Sequence, residues 1–176
     1  MLTRWRHSRG YGVHSPLAFR LVKEVLRPSR GVVYYGEERL MLSSLSGAEL
    51  RRARLLLRFV AHVSPTFVWT SAGLPEFLIE GIRQEGGVVR IFDGKAFPHS
   101  FDDAGLFVLH GSTLRAADLK RALAPGKAFI GFNLSPAFMR RVVAAMPGGV
   151  ALEGVDSIMA VPASGSPLHH YLVSDF

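Results

Sequence analysis

Apolar positions along the chain change their period near residue 65, and that change divides it. Before it the spacing is helical. Leu17, Leu21, Val22 and Val25 recur at helical intervals after Ser15-Pro16, with Ser as cap, Pro in the first turn, and Pro28 ending the run. A longer helix is predicted over 46–63. It opens on Ser46 with Glu49 three residues on, the spacing of a capping box, and Pro65 closes it. Its apolar positions Leu50, Leu55, Leu57, Val60 and Ala61 lie among Arg51, Arg52, Arg54 and Arg58, which predicts an amphipathic helix with a basic outer face.

After Pro65 short apolar runs alternate with helical stretches. Strands are predicted at Thr66–Thr70, Val88–Phe92, Leu106–His110 and Ala128–Phe132, and helices at Pro75–Arg83, Ala116–Leu123 and from Ser135-Pro136 to Met146. Three strands close the chain, at Val150–Leu152, Ser157–Val161 and His170–Val173, with no helix-length segment between them. Apolar strands separated by helices predict an α/β fold with a mostly parallel sheet covered on both faces. The final run of strands predicts an antiparallel edge. Length fits one domain spanning 1–176: an N-terminal arm and helices over 1–64, then an α/β core over 65–176.

Composition narrows the function classes. With 48% hydrophobic and 20% charged residues the chain is globular rather than disordered, and no apolar run is long enough to span a membrane. The absence of cysteine excludes disulfides, thiolate metal sites and cysteine nucleophiles. Met1–Arg6 lacks the apolar core of a secretory signal, so a cytoplasmic location is expected. The charge of +7 is uneven: residues 1–58 hold 12 Lys/Arg and 4 acids (12 − 4 = +8), whereas 59–176 hold 9 and 10 (9 − 10 = −1). A basic face attracts anionic partners, and helix 46–63 is the candidate surface; a solvated face that maintains solubility is the plainer account. There is no G-x-S-x-G, H-E-x-x-H or G-x-x-x-x-G-K-[ST] segment to suggest a hydrolase, metalloprotease or NTPase.

Several short segments, in order, resemble those of class I S-adenosylmethionine-dependent methyltransferases. Gly12-Val13-His14-Ser15-Pro16-Leu17-Ala18-Phe19 resembles the G-V-H-S-P-F-x-F opening of one bacterial branch. Thr70-Ser71-Ala72-Gly73 falls where that branch has a glycine-rich turn, Asp93-Gly94 where an acid and glycine end the second strand, His110-Gly111 where Asp-Gly ends the fourth, and Ser135–Met139 where S-P-x-M starts a helix. The resemblance implies a Rossmann-like methyltransferase fold with S-adenosylmethionine as cofactor, and residual cofactor-binding positions at Ser71, Gly73, Asp93 and His110.

The departures imply a worn site. An acid in the first strand and a glycine two residues before Ser71 are expected from the resemblance, but Phe67, Val68 and Trp69 stand there, and the indole is expected to fill the cofactor pocket. The stretch between Asp93 and Leu106 is too short for the helix and third strand that the family has. His110 and Ile130-Gly131 replace acids that hold a divalent metal in catechol-type relatives, so no metal site and no catalytic residue are expected. Asp93 could bind a ribose or simply start a turn, and His110 could act as a base or simply pack. His14 is read as a corner that docks the first helix, and His169-His170 as strand neighbours facing opposite ways.

Three functions follow: a degenerate methyltransferase homologue acting as a binding or scaffold module, an active methyltransferase with a reduced pocket, or a nucleic-acid or phosphate binder using the arginines of helix 46–63. Loss of the third strand is also expected to leave the second as a sheet edge, covered by segment 1–40 or paired with a second copy in a homodimer.

Overall fold

The computed structural model describes residues 6–7, 10, 12–28, 34, 36–41, 44–84, 90–94, 105–111 and 113–174, with the backbone alone for 41 and 90–94. Most of the arm over 1–14 and nearly all of the shortened stretch before Leu106 lie outside these residues.

Helix α1 begins at Pro16–Arg20 and continues as a π-helical segment, Leu21–Leu26. Ser15 caps it by accepting the amide of Ala18, and Pro28 lies just beyond. After the short α2, Glu37–Met41, comes α3, Gly47–Val63. The expected capping box is present, with Ser46 accepting from the Glu49 amide while the Glu49 carboxylate accepts from that of Ser46. Ser64 ends α3 in the left-handed region at φ 49, one residue before Pro65.

The core then alternates: β1 (Phe67–Ser71), α4 (Glu76–Arg83), β2 (Arg90–Gly94), β3 (Leu106–His110), α5 (Ala116–Ala122), β4 (Ala128–Phe132), α6 (Pro136–Ala145), β5 (Gly149–Glu153), β6 (Ile158–Pro162) and β7 (Leu168–Leu172). They form one seven-stranded mixed sheet in the order β2-β1-β3-β4-β6-β5-β7. The β2-β1, β1-β3, β3-β4 and β5-β7 pairs are parallel, and β6 runs antiparallel to both β4 and β5. The fold is therefore α/β with a mostly parallel sheet. The antiparallel part differs from expectation: β6 lies inside the sheet between β4 and β5, and the outermost strand β7 runs parallel to β5. A tight turn lets β6 return directly alongside β5, with the Gly154 amide bonded to the Ser157 carbonyl at 2.8 Å.

Period-two alternation builds a core on each face. Val68, Leu106, Val108, Ile130 and Phe132 meet α1, α3 and α4 on one side. Trp69, Phe107, Leu109 and Phe129 meet α5 and α6 on the other. Helices α3 and α4 approach so closely that a Cβ at Gly81 would lie 2.7 Å from the Ala53 carbonyl oxygen. The start of α1 is anchored on the far sheet edge, where the Tyr171 hydroxyl of β7 accepts the His14 and Ser15 amides at 3.2 and 3.3 Å. This is the docking corner expected at His14.

Among the described residues β2 has β1 as its single strand neighbour, so it stands at one end of the sheet. Segment 16–26 does not cover it: this part of the N-terminal region packs on α3 and β5, near the opposite end. No helix of the described residues is long and apolar enough to cross a membrane.

Candidate functional site

In a parallel α/β sheet, ligands bind beyond the carboxyl ends of the strands where the order reverses. Here that switch falls between β1 and β3, because the chain leaves β1 toward β2 on one side and returns to β3 on the other. All four residues singled out in the sequence lie at this end.

Ser71 is the last residue of β1 and is 4% exposed. Its hydroxyl oxygen accepts the His110 amide of β3 at 3.2 Å. The bond continues past the last paired position of these strands, Thr70↔Val108, and joins them across the switch point. Two residues on, Gly73 turns the chain toward α4 at φ +74, a conformation that favours glycine. A Cβ there would meet nothing within 4 Å, so glycine serves the backbone angle rather than a close contact. Asp93 sits one strand away, opposite Thr70 in the β1–β2 register. Backbone register thus brings Ser71, Gly73, Asp93 and His110 to one rim.

Trp69 is placed differently from the sequence expectation. It lies two residues inside the end of β1, 3% exposed, with its ring 6.1 Å from that of Phe107. The alternation of β1 turns it onto the α5–α6 face, so its indole fills the core beneath the rim rather than a pocket beyond it. Ile130 is fully buried in β4, and a Cβ on Gly131 would meet Leu134 Cδ1 at 2.5 Å. Neither residue faces the rim as a ligand. Among the described residues, no three His, Asp or Glu side chains are grouped as for a metal ion.

His110 follows Leu106 and Val108 in the strand alternation and therefore turns toward the face carrying α3. Its Nε2 lies 3.5 Å from Nδ2 of Asn133, which follows β4 in a left-handed conformation at φ 55. Beside them Arg52 of α3 donates from Nη2 to Oδ2 of Asp156 at 2.7 Å. Asp156 stands in the β5–β6 turn, and its carbonyl accepts the Leu134 amide at 2.7 Å, which fixes that turn to the end of β4. Partial burial holds the His110 imidazolium below the usual histidine range. The Arg52 charge adds to that lowering, and Asp156 opposes it more weakly. His110 is accordingly a neutral imidazole near neutral pH, able to donate and to accept.

The sequence alone does not point to Asn133 or Asp156. The polar interruption between the apolar run Ala128–Phe132 and the Ser135-Pro136 cap was the available signal for Asn133. Asp156 carries none, because only the return of β6 beside β4 brings it to this rim.

The basic helix is partly neutralised from within, four arginines against two acids. Arg54 donates twice to Glu37 Oε2, at 3.0 and 2.6 Å, and Arg58 bonds the other oxygen. With Arg52 on Asp156, three of the four arginines hold acids of the same chain, and Arg51 stays exposed. His169 stacks on Tyr171, whereas His170 bonds Glu153 at 2.8 Å, so the two point to opposite sides of β7. Comparison of the chain with protein-family models, with curated proteins and with solved structures finds no match.

Proposed function

We propose that this chain is a methyltransferase-like protein of Rossmann-like fold that has lost S-adenosylmethionine binding and catalysis and acts as a binding or scaffold module. Leading helices, parallel strands alternating with covering helices, and a reversed strand near the C-terminus support the kinship. The ordered motifs that resemble the family support it too.

One observation carries the loss of function. Ser71 is buried and its hydroxyl is engaged by the His110 amide, so a polar group that should face a cofactor instead seals β1 to β3 at the switch point. The turn that follows keeps a single glycine, and β1 supplies no acid. Isothermal calorimetry with S-adenosylmethionine and S-adenosylhomocysteine tests the reading: no saturable heat is expected, and a dissociation constant in the micromolar range overturns it.

A methyltransferase with a reduced pocket is the second reading. It is favoured by the open space around Gly73, with Ser71, Asp93 and His110 at the same rim. The calorimetric experiment separates the two. Nucleic-acid binding along the outer face of helix 46–63 is less favoured, since Arg54 and Arg58 both hold Glu37.

A further inference from the structure

We propose that the rim formed by His110, Asn133 and Arg52 at the carboxyl ends of β3 and β4 binds a small oxyanion, a carboxylate or a phosphate. The proposal rests on the reading of the chain as a binding module and names its ligand class. Arg52 comes from α3, His110 from β3 and Asn133 from the residue after β4; Asn133 meets His110, and the adjacent Leu134 amide bonds the Asp156 that holds Arg52.

Each group has capacity that its bonds within the chain do not use. A guanidinium carries five N–H donors in a planar fork, and Arg52 spends one, on a single oxygen of Asp156. That bond orients the fork, and its side chain is 24% exposed, so the remaining donors stay in reach of a solute. Asp156 lies on the outer side of the pair, with 41% of its side chain exposed. At the imidazole the charge of Arg52 disfavours protonation more than that of Asp156 favours it, and the Arg52 donors that Asp156 leaves unused supply the positive side of the site. The neutral His110 contributes one donor and Asn133 an amide, both at the strand ends where ligands of such sheets collect. The ring nitrogen and the amide lie 3.5 Å apart, a weak mutual bond that an oxyanion between them would replace with stronger ones.

Nuclear magnetic resonance titration of the full chain, at constant ionic strength set with chloride, tests the site with sodium acetate in one arm and inorganic phosphate in the other. Saturable shifts of the His110 ring and Asn133 side-chain resonances are expected in at least one arm, at a dissociation constant of about 1–10 mM. The arm that saturates identifies the oxyanion. In the charge-balanced double variant R52Q/D156N that binding weakens about tenfold or more, the effect of losing a charge-assisted hydrogen bond. N133G keeps the left-handed backbone and removes the amide, and it weakens binding less. Flat or merely linear shifts in both arms overturn the proposal, as does undiminished affinity in R52Q/D156N or in N133G. A third arm with S-adenosylhomocysteine reports separately on the proposed function, because its binding overturns that reading whatever the two anions do.

Discussion

The smallest features with measurable consequences are two side chains whose charge the fold controls. Burial alone raises the Glu37 carboxyl, but bonds from Arg58 and Arg54 outweigh it and hold the group below the usual glutamate range. A carboxylate depressed in the folded state contributes stability that is complete above its unfolded value, about 4.3, and is lost as pH falls through the folded value. Urea denaturation from about pH 6 down to about pH 3 is expected to show a steeper loss for the wild type than for E37Q. E37A leaves two guanidinium groups facing each other and costs about 3 kcal/mol, near the low end for a broken buried pair because Arg54 is partly exposed. The second side chain is His110, whose midpoint is expected below the ordinary value of about 6.5 in a histidine titration. Arg52→Gln removes a charge that disfavours the imidazolium and raises that midpoint. Asp156→Asn removes one that favours it and lowers the midpoint. Shifts of the opposite sign would place both groups elsewhere.

At the scale of elements, the attachment of α1 depends on a few contacts at its ends. Tyr171 accepts two amides at the start of the helix, and His62 meets Glu24 at 2.8 Å near its end. The apolar side of α1 contributes Ala18, Leu21, Val22 and Val25 to the core. Tyr171→Phe deletes the acceptor and leaves two amides without it, at a cost of about 1–3 kcal/mol. Because the apolar contacts remain, this variant is expected to fold, while hydrogen exchange speeds up over residues 13–20 before the sheet strands are affected. Equal acceleration in β3 and β4 would mean that the corner supports the whole core rather than the first helix.

Across the whole molecule, the sheet has two ends with different fates. The β7 end is tied to the N-terminal region through Tyr171 and through His7, whose Nδ1 lies 3.1 Å from the Leu172 carbonyl oxygen. The β2 end has one strand partner among the described residues. A parallel edge of this kind invites pairing with another chain. Residues 16–26 pack on α3 and β5 whereas Gly36 and Arg39 lie against Gln84 at the end of α4, and the cover that a solution measurement detects is pairing between two copies. Sedimentation equilibrium is therefore expected to show a monomer–dimer equilibrium, and a monomer at every concentration would remove the homodimer from consideration.

The features legible in the chain are those set by neighbours in sequence. Ser15, Ser46 and Ser135 cap helices through bonds to residues three positions on, so their spacing alone announces them. Leu106–His110 and Ala128–Phe132 form strands at the predicted bounds because each is a short apolar run between polar breaks. Even the position of Ser71, Gly73, Asp93 and His110 at one rim follows from placing each at or just beyond a strand's carboxyl end. Only the tertiary structure decided what these residues do there. The indole of Trp69 belongs to the core because β1 extends two residues past it, and alternation then assigns its face. Three arginines of α3 hold acids drawn from residues as distant as Glu37 and Asp156, pairings that no local pattern encodes. The rim itself, from Ser71 bonded to His110 through Asn133 to Arg52 and its partner Asp156, exists because the parallel crossovers and the inserted β6 bring five separate segments together. Contacts of that range depend on topology, whereas caps and strand limits depend on the few residues beside them.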